Sequence, residues 1–156
     1  MKLFIEQLPT LKALYMNQLR IALSAEEELV SGLEKMRDAA TDQQLRDVFC
    51  SHQQETKVHI ARLQRILSQH VNGEADEIKC KAVSGLIHEG DDLIQECKGT
   101  VRDVGLIVAA QRGEHYEMAT YGSLRNLARV LEFTGDAETL EQTLQEEETA
   151  DHLLTS

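Results

Sequence analysis

The chain has 156 residues, a net charge of −11 with histidines neutral, 42% hydrophobic and 28% charged residues, one proline and no tryptophan. That length fits a single domain, residues 1–156, large enough to bury a core. So acidic a surface repels phosphate backbones and anionic headgroups, which sets nucleic acid and membranes aside as partners.

The opening "MKLFIEQLPTLK" is broken by Glu6 and Pro9 and does not read as a signal peptide. No apolar run approaches the roughly 20 residues a membrane helix needs. Cys50, Cys80 and Cys97 are widely spaced and form no CxxC pair. They suggest reduced thiols, buried or half-buried, in a cytoplasmic protein.

Apolar residues recur at helical spacing throughout, so the predicted class is all-α. A first long helix is expected from about Thr10 to Ala39, with Pro9 ahead of it or in its first turn. A second begins at "TDQQ", where Thr41 and Gln44 have capping-box spacing, and stops at the Asn-Gly of "VNG", Val71 to Gly73. The segment "DEIKCKAVSGLIHEGDDLIQECKG" reads as a shorter helix. A further long helix opens with "TVRD", where Thr100 and Asp103 repeat the capping-box spacing, and ends near "EFTGD". The last runs from about Asp136 to Leu153. Short links make the first two and the last two long helices antiparallel pairs. The connection between the pairs, about thirty residues with its own helix, is the long crossover of a ferritin-like four-helix bundle.

Successive helical residues are about 100° apart, so residues three or four apart share a face. On the fourth helix the apolar stripe Ile107, Ala110, Glu114, Glu117, Tyr121, Leu124, Ala128, Leu131 contains two glutamates. The last helix gives Leu140, Leu144, Glu147, Asp151, Leu154, while Glu141, Glu146 and Glu148 project elsewhere and read as solvated. On the first helix only Glu26 of "EEE" lands in the seam Leu19, Ala22, Glu26, Leu29, Leu33, Met36. The second helix gives Leu45, Val48, His52, Glu55, His59, Leu63, Ile66.

A single glutamate on such a stripe is usually a boundary residue that reaches water. Carboxylates on four seams at once have no such explanation. Their burial is untenable unless positive charge sits among them. Arg62 is the basic residue nearest a stripe, and a pair of divalent metal ions is the simplest compensation.

The stretches "SAEEEL", "AATDQQLRDVFCSHQQET", "KCKAVSGLIHEG", "LIVAAQRGEHYEMATYGSL" and "TLQEEETADHLL" resemble the YciE/YciF family of ferritin-like bacterial stress proteins, over roughly residues 20–154. The resemblance implies a ferritin-like bundle related to rubrerythrin and other di-iron carboxylate proteins, and a homodimer. It also implies metal ligands at Glu26, Glu55, Glu114, Glu117, Glu147 and Asp151, and His52 matches a histidine common in the family. His59, a further candidate from its place on the seam, stands where the family more often carries glutamine.

Two departures stand out. Di-iron bundles commonly use Glu-x-x-His on two helices, but Val58 and Ala150 occupy those third positions after Glu55 and Glu147. His59 and Asp151 instead stand four residues on. An oxygen-rich site suits Fe, Mn, Mg or even Ca. The functional expectation is a dinuclear non-haem metal protein, with Fe foremost. Glu55 and Glu147 would bridge the two ions, and the activity on O2 or peroxide would be ferroxidase- or peroxidase-like. The alternative is a non-catalytic bundle serving as a scaffold or dimerising partner.

Overall fold

In a computed structural model the described residues are 8–70 and 78–155, and they form five helices. These are α1 (Leu11–Ala39), α2 (Gln43–His70), α3 (Lys81–Glu96), α4 (Gly99–Val130) and α5 (Thr134–Thr155). The helical class and the crossover helix match the expectation. The stop expected at Val71–Gly73 lies outside the described residues, as does most of the N-terminal segment.

The four long helices form a bundle in which α1 pairs with α2 and α4 with α5. Leu19 and Ala22 of α1 share one apolar cluster with Leu63 and Ile66 of α2, Leu124 and Ala128 of α4, and Ala137 and Leu140 of α5. Leu33 and Met36 share another with Leu45, Phe49, Leu106, Ala110 and Leu154. Chain numbers therefore rise along α1 where they fall along α2, and α2 runs parallel to α4. A connection between two parallel helices must travel the length of the bundle. The 16 residues of α3 span about 24 Å of that path. They lie across α1 and α4, with Ile87 beside Gly32 and Leu93 beside Gly105.

The helix ends follow local chemistry, though not always the predicted kind. Thr10 caps α1, its Oγ1 accepting from the Ala13 N–H at 3.1 Å. At the start of α2 the cap is Asp42, whose carboxylate accepts from the Leu45 N–H, and not Thr41. Thr41 instead gives its N–H, at 2.7 Å, and its hydroxyl to Asp103 of α4. Asp103 thus ties α4 to the entrance of α2 and does not box its own helix, which starts at Gly99 without a side-chain cap. At the other end of α4, Glu132 takes φ 61, and the Phe133 N–H reaches the Ala128 carbonyl. This is a Schellman turn formed without glycine, and it returns the chain directly into α5.

The two apolar clusters are separated by a polar layer. On α1 it is Glu26, on α2 His52 and His59, on α4 Glu114 and Glu117, and on α5 Glu147, all buried. A fully buried leucine contributes about 1.5–3 kcal/mol, whereas a buried ion without compensation costs several kcal/mol. The apolar layers can carry the polar one, but nothing in packing explains why it is there.

Candidate metal centre

On α2 the axial seam runs Leu45, Phe49, His52, Thr56, His59, Leu63, Ile66, in alternating steps of four and three, with Gln53 and Leu67 buried beside it. That regular seam places His52 and His59, seven residues apart, on one line facing the axis. Its fourth position is Thr56, made tolerable by donating its hydroxyl to the His52 carbonyl at 3.0 Å. Glu55, expected on the seam, sits one residue and about 100° away, with its side chain 47% exposed. Likewise Phe49 replaces Val48 in the seam, and on α5 Ala150 replaces Asp151.

The centre has two overlapping groups. His52, Glu114, Glu117 and Glu147 each offer an atom within 4.8 Å of the others, and so do Glu26, His59 and Glu147. Glu147 belongs to both. Its Oε2 lies 3.7 Å from His52 Nε2, and its Oε1 lies 3.0 Å from His59 Nδ1. His52 Nε2 is also 3.1 Å from Glu114 Oε1, and His59 Nδ1 is 3.5 Å from Glu26 Oε1. Tyr121 closes one end by donating its hydroxyl to Glu26 Oε1.

Each imidazole uses its second nitrogen on a carboxylate nearer the surface. His52 Nδ1 is 3.4 Å from Glu55 Oε2, and His59 Nε2 is 2.9 Å from Glu146 Oε2. Glu146 is held in turn by Arg62, whose NH2 group donates to Oε1 at 3.0 Å. Arg62 also reaches Thr143 Oγ1 at 3.0 Å. Sequence reasoning took Glu146 as solvated and Arg62 as a possible internal counter-charge. Both belong to this outer ring. The signal that could have found Glu146 is Arg62, one helical turn beyond His59 and in need of a carboxylate partner.

Six of the eight candidate residues therefore converge: Glu26, His52, His59, Glu114, Glu117 and Glu147. Glu55 and Asp151 fall outside both groups. Glu55 faces the far side of His52, and Asp151 lies 3.4 Å from both Gln111 Nε2 and His115 Nε2. Asp151 is turned out because α5 brings in Ala150 between Glu147 and Leu154. The cysteines do not enter either group, and Cys50 is exposed, against the expectation of burial.

The electrostatics show how much this layer needs positive charge. Burial, reinforced by Glu147, Glu26 and Glu114, pushes the Glu117 pKa well above the carboxylate range. Burial also raises Glu147 to about 7 despite the nearby His59. Burial alone would lower His59, but Glu147 and Glu26 outweigh it and hold the imidazole up at about 10. His52 is raised well above its ordinary value by Glu114 and Glu55, again against burial. The outer ring shifts oppositely: Arg62 and His59 hold Glu146 down at about 2 in spite of partial burial.

The donor set fits divalent cations. Glu26 Oε2, Glu114 Oε2, Glu117 Oε1 and both oxygens of Glu147 are buried without a hydrogen-bond partner. With their protons expelled, the four carboxylates would carry the charge that two divalent ions neutralise. Orphaned oxygens of this kind are costly unless something electropositive sits among them. These buried Glu and His groups can hold a metal ion.

The sequence profile described as "Domain of unknown function (DUF892)" matches residues 10–156. The chain belongs to this family. It is 37% identical to protein YciF of Escherichia coli (strain K12) over 147 residues, 94% of this chain and 89% of that protein. The crystal structure of the E. coli stress protein YciF superposes with a TM-score of 0.90 at 36% identity, covering 94% and 93% of the two chains. YcfI from Rhodopseudomonas palustris, described as a candidate structural protein, gives 0.91 at 31% identity and 98% coverage of both chains. The family resemblance read from the sequence is thereby shown, and so is the all-α fold. Among the described residues no helix is long and apolar enough to cross a membrane.

Proposed function

We propose that this DUF892 protein holds two divalent metal ions, foremost Fe(II), between its helices and uses them to reduce O2 or peroxide in a stressed cell. The observation that carries this reading is Glu147, with two buried oxygens that lack a hydrogen-bond partner and face one histidine each. A carboxylate so placed suits a bridge between two ions. The inventory of four glutamates and two histidines equals that of di-iron bundles built on paired Glu-x-x-His. Here both histidines come from α2, a different distribution of the same donors. Loaded with two Fe(II), the centre supplies two electrons, enough with two protons to convert O2 to hydrogen peroxide or peroxide to two waters.

The chain's own residues position these donors. Glu55 and Glu146 take the outer nitrogens of His52 and His59, which fixes the rings and leaves His52 Nε2 and His59 Nδ1 turned inward. Tyr121 fixes Glu26. The apolar clusters above and below keep bulk water away and strengthen each electrostatic contact between them. Anaerobic loading with Fe(II), followed by exposure to O2 or peroxide, tests the activity. The expected result is oxidation of two Fe(II) per chain faster than Fe(II) alone in the same buffer; equal rates would refute it.

A second reading is a scaffold without metal. It is favoured by the imidazoles themselves, which lie close enough to Glu114 and Glu147 to offset part of the charge when protonated. A melting temperature indifferent to both chelator and added Fe(II) or Mn(II) would select it.

A further inference from the structure

Beside the metal centre, between α1, α3 and α4, lies a cavity of ≈ 20 Å³, measured as the space open to the centre of a water-sized molecule. That is just more than the ~10–15 Å³ one water molecule requires. Leu29 and Met36 of α1 and Ile87 of α3 contribute to its walls, and Glu114 and Glu117 of α4 with His52 of α2 form its polar end. Glu114 Oε2 and Glu117 Oε1, each buried, have no hydrogen-bond partner. The space exists because two backbones lack side chains there. A Cβ added at Gly32 would stand 3.4 Å from Ile87 Cγ1, and one at Gly113 would stand 4.0 Å from Leu29 Cδ2.

We propose that this cavity is a dioxygen pocket that delivers O2 to the Glu114–Glu117 side of the centre, with α3 as its cover. The proposal rests on the metal-binding reading above and deepens it by choosing O2 over peroxide as oxidant. Once His52, Glu114 and Glu117 are engaged by cations, the remaining walls are apolar. Water or hydrogen peroxide needs two or more polar partners to be held. A small uncharged diatomic needs none, and contact with surrounding apolar atoms is enough. Its small volume also excludes any larger organic substrate from this side.

Gly113→Ala tests the pocket with little risk to folding, since its new methyl meets only ordinary contacts and alanine favours the helix. Gly122→Ala is the control: it lies on the same helix, and nothing stands within 4 Å of its added Cβ. Both variants should melt at or above the temperature of the parent protein and bind as much metal.

Xenon in protein loaded with redox-inert Zn(II), followed by 129Xe NMR or in pressurised crystals, reads the cavity independently of any oxidation. The parent and Gly122→Ala should take xenon at this place, and Gly113→Ala should not. In Fe(II)-loaded protein, Gly113→Ala should slow oxidation by O2 about 10-fold while leaving oxidation by peroxide unchanged. Absence of xenon from the parent cavity overturns the proposal and leaves the metal reading intact, as does an undiminished O2 rate in Gly113→Ala. A protein that binds no divalent metal overturns both.

Discussion

Approached through the groove between α1 and α4, the centre lies under α3 and behind Leu29, Met36 and Ile87. Approached from α2 and α5, it is met by Glu55, Glu146 and Arg62, all partly exposed. The same six donors thus have one covered, apolar side and one charged side. Both histidines lean on the charged side, so that side governs their orientation and protonation. The covered side contributes unpaired carboxylate oxygens with apolar neighbours, and so governs what can approach them. A polar layer between two apolar ones would be a liability to a protein that only needed to fold; its asymmetry is intelligible as the two sides of a working site.

The comparison breaks most severely if Glu147, common to both groups, is dispensable. Glu147→Leu, similar in size and without charge, should leave the metal-free protein folded while weakening both metal sites. Removing partners outside a coordination shell costs about 10–100-fold in affinity; titration calorimetry should show a loss beyond that range for this inner residue.

Next in size are the linked effects of metal and pH. Fe(II) or Mn(II) at about 100 times the Kd of each site should stabilise the fold by about 2.7 kcal/mol per ion, about 5.4 kcal/mol for two, raising the melting temperature of a chain this size by about 10–20 °C. Without metal the sign with pH is fixed by the raised groups. The His59 contribution is fully present below its ordinary value of 6.5 and disappears as pH rises toward about 10. Glu147, raised from 4.5 to about 7, and Glu117, raised well above 4.5, also leave the folded chain binding more protons than the unfolded one. Stability of the metal-free protein should therefore fall as pH rises from about 5 to about 10. Glu146 acts in the opposite direction in acid: its contribution is present above 4.5 and lost as pH falls toward about 2. Metal must expel the inner protons, so apparent affinity should rise over the range in which metal-free stability declines. Melting curves across pH, with and without metal, check both slopes.

The charged side itself is tested by Glu146→Gln, which keeps a hydrogen-bond acceptor for His59 and removes the charge. A loss of about 10-fold at the site nearest His59, with little change at the other, would match an outer carboxylate. Two equal losses would mean that the sites are not separable in this way. Smallest of all is Asp151→Asn. Being outside both groups and partly exposed, it should leave metal stoichiometry unchanged and shift stability within about 0.5 kcal/mol.

Much of this centre was legible because charge at the axis is conspicuous. Glu26, Glu114, Glu117 and Glu147 interrupt otherwise apolar seams, and helical spacing alone brings them inward. What could not be read reliably was rotation to within one residue. Neighbouring side chains differ by about 100°, so Glu55 and Thr56 compete for the same place on α2. Thr56 wins because it can satisfy its hydroxyl on its own helix, as a glutamate cannot. On α5 the small Ala150 was overlooked as a seam residue beside the more conspicuous Asp151. Thr41 and Asp103 had the right types for local caps, yet they bond to each other across the bundle, a partnership that no spacing rule encodes. Glu146 was missed for the same reason: its role depends on Arg62 and His59, both supplied by α2.

Metal content after anaerobic reconstitution with Fe(II), followed by removal of unbound ions, tests the central claim most directly. Two ions per chain in the parent protein and close to none in Glu147→Leu is the outcome predicted from a carboxylate shared by both groups. A parent protein that emerges empty, or a Glu147→Leu variant that retains both ions, would contradict it.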